Sequence, residues 1–199
     1  MNRILFWLAS FLPCQIISQD DTPYLERYYL FTLLGVRFYL HRFVESDPAR
    51  GMHDHPWPWA GSLVLSGNYL EERRGLERHA ITQSMARVFG TEGTTRHRIR
   101  WFNFMLGDNF HRVVLPRMNV SIKDEAGNHI GWTYVARPCW TLFFHRAIFS
   151  KPWGFLRPME GHTCLMWVPH NYPQDGAAGA SGAWWKAAPK GRNAERTKL

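Results

Sequence analysis

The sequence has 199 residues, of which 45% are apolar and 15% aromatic, with ten Trp and a formal net charge of +8. Such a composition excludes a disordered chain, and the length suits one domain with appendages. The basic balance permits contact with nucleic acid or an anionic surface but fixes no fold. Much of the excess is local: Lys186, Lys190, Arg192, Arg196 and Lys198 follow Trp185 against Glu195 alone, whereas elsewhere Arg alternates with acids, as in Glu71-Glu72-Arg73-Arg74. A solvated surface with a basic tail is the more economical account.

The N-terminus, MNRILFWLASFLP, superficially resembles a signal peptide. No clean small-x-small cleavage site follows, however, and the apolar run is too short to span a bilayer. Ile4, Leu5, Leu8, Phe11 and Leu12 fall at helical spacing, which predicts an amphipathic helix docked on the domain or a partner chain rather than a membrane-surface anchor. Residues 1–34 are expected as a helical or extended lead-in, 35–172 as a barrel and 173–199 as a flexible basic tail.

Strand signals dominate the middle of the chain. Val36, Phe38 and Leu40 alternate with Arg37, Tyr39 and His41, and Ser62 to Leu65 is an apolar run that ends at the turn residue Gly67. Ile99, Trp101 and Asn103 alternate with Arg100, Phe102 and Phe104, which reads as one strand. His111, Val113 and Leu115 share a parity; Trp132 to Val135, Cys139 to Phe144 and Cys164 to Val168 read as further strands. Glu125 to Asn128 is a hairpin turn between Val120-Ser121-Ile122 and Ile130-Gly131-Trp132. Many short strands with no internal helical period predict an all-β barrel or sandwich. The small-residue run Gly176 to Gly182 is expected to be mobile, while Trp184 and Trp185 beyond it are odd for a linker and suit packing back onto the domain or a partner. Cys14, Cys139 and Cys164 are odd in number, widely spaced and contain no CxxC pair, which argues against a disulfide framework or zinc ribbon and for a reducing, cytoplasmic setting.

The sharpest feature is Gly51-Met52-His53-Asp54-His55-Pro56-Trp57. Two His at i and i+2 on an extended segment point to one face, so both imidazoles can reach one metal ion, while Asp54 points to the opposite face. A third ligand must come from another strand. His111 is the best candidate, because its face also carries Val113 and Leu115 and would turn into an apolar interior. Three neutral imidazoles suit Fe, Zn, Ni, Cu or Mn, and open coordination positions would permit chemistry.

This stretch resembles the first cupin motif, in which a Gly precedes HxH, a Glu follows, and a Gly closes the motif. Ala60 stands at the Glu position and Gly67 at the closing Gly. Gly107 and His111 resemble the second motif loosely; its Pro-x-Gly before the His and its Asn after it are absent. Residues 23–170 are similar to a group of small uncharacterised bacterial and phage cupins, of the RmlC-like superfamily. The similarity is carried by Pro23 to Arg27, Tyr39 to Phe43, His53 to Trp57 (HDHPW), Gly67 to Glu71, His111 to Val113, Trp140 to Phe143 and Trp153 to Phe155. It implies a cupin double-stranded β-helix, or jelly-roll barrel, with an N-terminal helix and a mobile C-terminal tail. It also implies a divalent metal, Fe(II) favoured, on His53, His55 and His111, and a homodimer.

Ala60 cannot coordinate, so the usual three-His, one-acid site becomes a three-His site, with a two-His, one-carboxylate triad as the minority alternative. His41, His145 and Tyr69 are candidate pocket residues. His41 and Tyr69 have structural readings that are as good or better, and His97 sits in an exposed basic cluster. Arg112 is expected in a structural ion pair, and Trp101, Trp140 and Trp153 in the core. No GxSxG, P-loop or GxGxxG signature is present. The leading expectation is therefore a metal-dependent cupin enzyme of the non-haem Fe(II) oxygenase type acting on a small organic substrate. A non-enzymatic cupin binding a small ligand or protein partner is the alternative, and nucleic-acid binding a distant third.

Overall fold

A computed structural model describes residues 1–74, 93–148, 151–158, 165–170 and 183–199, with 88–90 and 164 as backbone. Helix α1 (Asn2–Ala9) leads into β1 (Cys14–Gln19), β2 (Thr22–Leu33), β3 (Val36–Phe43), β4 (Met52–His53), β5 (Trp59–Ser66), β6 (Tyr69–Arg74), β7 (Val88–Gly90) and β8 (Thr95–Ile99). There follow β9 (Phe102–Leu106), β10 (Phe110–Val114), β11 (Arg117–Lys123), β12 (His129–Ala136), β13 (Cys139–Arg146), β14 (Gly154–Pro158) and β15 (Cys164–Pro169).

One sheet has the order β1-β2-β3-β13-β5-β9 and the other β7-β15-β14-β4-β10-β6-β8, with β11 and β12 forming a separate hairpin. Neighbouring strands pair antiparallel, and between β3 and β14 the chain crosses repeatedly from one sheet to the other. This is the all-β architecture expected from the strand pattern, in the jelly-roll form that the resemblance implies, preceded by a short helix. Inward side chains of both sheets enclose a cavity, and Val64, Tyr69, Ile99, Val113, Leu115 and Cys139 belong to one apolar cluster, of which Tyr69 and Val113 also line that cavity.

Several local expectations change. The alternation from Ile99 to Asn103 is not one strand: β8 ends at Ile99 in one sheet and β9 starts at Phe102 in the other. Trp101 lies on the crossing and is 77% exposed, so it is not a core residue. Burial keeps the same parity on both sides of the crossing, at Ile99, Asn103 and Met105, so alternation alone hides the break. The segment expected as a lead-in contributes β1 and β2, two strands of the first sheet. Helix α1 does dock, but through Leu5 and Ala9, with Phe6 and Leu12 beside them, against Tyr28, Leu40 and Trp140. Ile4, Leu8 and Phe11 of the predicted face remain exposed.

The run Gly176 to Gly182 lies outside the described residues. From residue 183 onward the expected flexible tail is instead packed. Trp184 is buried, and Trp185 stacks on Tyr29 with ring centroids 4.0 Å apart. Cys14 N donates to Pro189 O and Gly191 N to Leu12 O. Its last residues meet an ion pair between Glu26 and Arg42, both fully buried. Arg42 donates to the carbonyls of Thr197 and Lys198, and Thr197 N donates to Glu26 Oε1. Two buried charges need hydrogen-bond partners beyond each other, and this segment supplies such bonds to both, which holds it in place. Cys14 and Cys139 are free and buried. Among the described residues no helix is long and apolar enough to cross a membrane.

Candidate metal centre

His53 closes β4, a strand only two residues long. It lies between β10 and β14, opposite His111 on one side and Phe155 on the other. His55 follows beyond the strand, yet its backbone N donates to Gly107 O at 3.0 Å, which keeps the segment extended. That approach explains Gly107: a Cβ there would stand 1.9 Å from Trp57 O. Gly51 is required similarly, with φ +106 and Leu156 O 2.0 Å from any Cβ.

Asp54, between the two histidines, faces away from them and is fully buried. It accepts from Gly154 N at 2.6 Å, from Lys151 Nζ at 2.5 Å and from the Trp167 indole at 3.5 Å. The alternation read from the sequence thus has a physical use on both faces: one turns two imidazoles inward, and the other clamps the backbone that carries them.

His53, His55 and His111 converge, with one ring nitrogen from each lying within 4.8 Å of the others. One pair, His55 Nε2 and His111 Nε2, is 2.8 Å apart, near the roughly 3 Å separating two adjacent ligands on bonds of about 2.1 Å. Burial, then the neighbouring His111, holds both His53 and His55 well below the ordinary imidazole pKa, so both keep free lone pairs at neutral pH. The donor set therefore suits a borderline divalent metal.

Ala60, at the position where a glutamate was expected, sits in β5 opposite His145 and Met105 and supplies no oxygen. An acid does reach the site from β6. Glu71 Oε1 accepts from His111 Nδ1 at 2.8 Å. Burial alone would raise the Glu71 carboxyl, but the hydrogen bond and charge of His111, together with Arg73, hold it down to about 2. Asn103 Nδ2 donates to Glu71 Oε1 at 2.9 Å and to Tyr69 Oη at 3.0 Å, and Arg73 donates to both Glu71 and Asn103. The carboxylate orients an imidazole without joining the ligand cluster, which is how metal-binding histidines are commonly fixed. From the sequence, a structural role for Glu71, as for Tyr69, is as good as a functional one. Its signal was parity: Glu71 pairs with Val113 in the β6–β10 register, so it shares the inward face of His111.

The three histidines open on a cavity of about 350 Å³, within the range of small-molecule sites. Tyr69 and His41 line it, as do Glu71, Asn103, Arg27, Arg50, Asp47 and His170, none of which the sequence reading placed there. His145 is buried but does not line this cavity. It stacks on Trp57 with centroids 3.7 Å apart, and Trp57 faces the interior. His41 is likewise buried, stacked on Phe143 at 4.6 Å. His97 is exposed, and Arg112 pairs with Glu72 on the outer face of β6.

No protein-family model matches the chain, and no curated protein matches it. Solved structures do. A cupin-2 domain protein from Rhodospirillum rubrum is 13% identical at a TM-score of 0.42, over 75% of this chain and 76% of its own. A cupin 2 conserved barrel domain protein from Rhodopseudomonas palustris is 11% identical at a TM-score of 0.41, over 84% and 81%. The Fe(II) form of HppE with an alternative substrate is 9% identical at a TM-score of 0.41, over 67% of this chain and 55% of that one. The chain thus spans little more than half the length of HppE.

Proposed function

We propose that this chain is a metal-binding cupin whose divalent ion is held by His53, His55 and His111, and that it acts on a small organic molecule bound in the adjoining cavity. The observation that carries this reading is the convergence of three imidazoles on the wall of an aromatic-lined cavity, with His111 oriented by Glu71. An all-imidazole donor set fits Fe(II), which we favour, and equally Zn, Ni, Mn or Cu. When bound, such an ion supplies a Lewis-acid centre and, if iron, a redox-active one. The protein's own residues hold the imidazoles, keep Glu71 ionised as the acceptor of His111 Nδ1–H, and line the reacting space with Trp57, Phe143 and Trp153. A homodimer is part of the proposal. Ile130, Trp132 and Tyr134 are each more than 60% exposed on the β11–β12 hairpin, which neither main sheet covers.

The test is metal analysis of the purified protein, with thermal denaturation in the presence of Fe(II), Zn(II), Mn(II) and Ni(II). Near one equivalent of metal is expected, with stabilisation of about 2.7 kcal/mol at a hundredfold excess over Kd, and His53→Ala should lose both. Absence of metal and of any thermal shift overturns the reading.

A further inference from the structure

The wall opposite the histidine cluster carries a row of polar residues at one level of the first sheet. The register aligns Gln15 of β1 with Arg27 of β2, Arg27 with His41 of β3, and His41 with Thr141 of β13. All four line the cavity. Side chains at directly opposed positions of neighbouring strands stand about 5 Å apart, so the row presents a continuous polar strip on one wall of the chamber.

This strip is poorly served by the protein itself. Among the described residues, Arg27 has no carboxylate within 4.0 Å, and its Nε is buried without a partner. His41 Nε2 and Thr141 Oγ1 are also buried without partners, on side chains only 3% and 1% exposed. Few buried polar groups in native proteins go unpaired. Three on adjacent strands, facing one cavity, mark a place where the cavity's contents complete the hydrogen bonding. Arg50 adds a second cation to the same chamber: it donates to Tyr24 Oη at 2.7 Å and lies over the Phe155 ring. The two cavity carboxylates are otherwise engaged. Glu71 serves His111 and Arg73, and Asp47 accepts from Val113 N.

We propose that Gln15, Arg27, His41 and Thr141, with Arg50 as a second cation, bind the carboxylate end of a small organic acid and hold its other end toward the three-histidine cluster. A guanidinium presents a planar fork that matches a carboxylate bidentately, and the neutral donors beside it match a single negative charge. The inference rests on the metal reading only for the far end of the molecule.

The test is calorimetric titration of the full-length protein with benzoate, its neutral counterpart benzamide, and phenylphosphonate. Benzoate is expected to bind at least about tenfold more tightly than benzamide. Arg27→Met should abolish that preference while raising the melting temperature, since it removes a half-buried charge that has no carboxylate partner among the described residues; a merely structural Arg27 would lower it. Arg27→Lys keeps the charge but loses the fork and should weaken benzoate about tenfold. If Arg27→Met does not fold, Thr141→Val should weaken benzoate and leave benzamide unchanged. His53→Ala separates the two readings. Benzoate preference retained in that variant supports the Arg27 strip, whether or not the wild type holds metal. Preference lost there, but kept in Arg27→Met, overturns the strip and leaves the metal reading standing. Binding of neither probe, or equal binding of both, overturns the inference, and phenylphosphonate binding more tightly than benzoate overturns its carboxylate assignment.

Discussion

His111 Nδ1 donates to Glu71 Oε1 across 2.8 Å, from neighbouring strands and in a buried setting. This fixes the imidazole's tautomer and leaves its Nε2 turned toward His55. Glu71→Gln keeps the size of the side chain but removes the charge that raises ligand basicity. It is expected to lower metal affinity about 10- to 100-fold with all three histidines intact, as measured by competition with a calibrated chelator. Unchanged affinity would mean that Glu71 only supports Arg73 and Asn103.

Asp54 makes the contrasting case. It lies between two proposed ligands, yet it faces Gly154, Lys151 and Trp167. Asp54→Ala strands the buried Gly154 N–H and deprives Lys151 of one of its two carboxylates, the other being Asp108. A loss of about 2–4 kcal/mol is expected, read as a lower urea midpoint. Asp54→Asn, which retains an acceptor, should bind the same number of metal ions per chain as wild type. A drop in that number would make Asp54 a ligand and contradict the geometry.

The difference between these two acids shows what was readable beforehand. Period-two parity placed His53 and His55 together and sent Asp54 away, and both hold because parity is a property of the extended backbone. The pairing of Glu71 with His111 depends on which strands become neighbours, and so does the row from Gln15 to Thr141. Strand neighbourhood in a jelly roll is set by long crossings between sheets, and local sequence carries little of it. The packed segment after residue 183 was obscured for a different reason. Its basic composition suggests solvent, but its anchors are main-chain carbonyls, at Thr197 and Lys198, that any residue type supplies.

Those carbonyls make a third expectation. Arg42 is fully buried among Glu26, Thr197 O, Lys198 O and the rings of Phe6 and Trp140. Arg42→Ala leaves the Glu26 carboxylate buried beside Tyr28 alone of its side-chain partners. The expected cost is about 3–5 kcal/mol, visible in chemical denaturation, together with faster proteolytic cleavage near residues 183–199. The double variant Glu26→Leu, Arg42→Leu should recover much of the folding stability but not the protection of that segment, since its hydrogen-bond partners are gone. If the double variant protects the segment as well as wild type, the ion pair is not what holds it.

Acid should unfold the metal-free protein through its buried imidazoles. An unfolded His takes up a proton near pH 6.5. In the folded chain burial, only partly offset by its bond to Arg146 O, pushes His145 down to about 3. Burial, then the charge of Arg27, likewise holds His41 well below the ordinary range. Between pH 6.5 and those folded values the unfolded state binds more protons, so stability falls as pH falls, and above pH 6.5 these groups contribute no slope. Each fully suppressed imidazole steepens the acid limb by about 1.4 kcal/mol per pH unit. His145→Phe keeps a ring on Trp57 but cannot take up the proton. It should flatten the limb by about one proton, while costing about 1 kcal/mol near neutral pH for the hydrogen bond lost to Arg146 O. Urea denaturation at several pH values measures both effects, and an unchanged slope in the variant would show that His145 is protonated in the folded protein as readily as in the unfolded one.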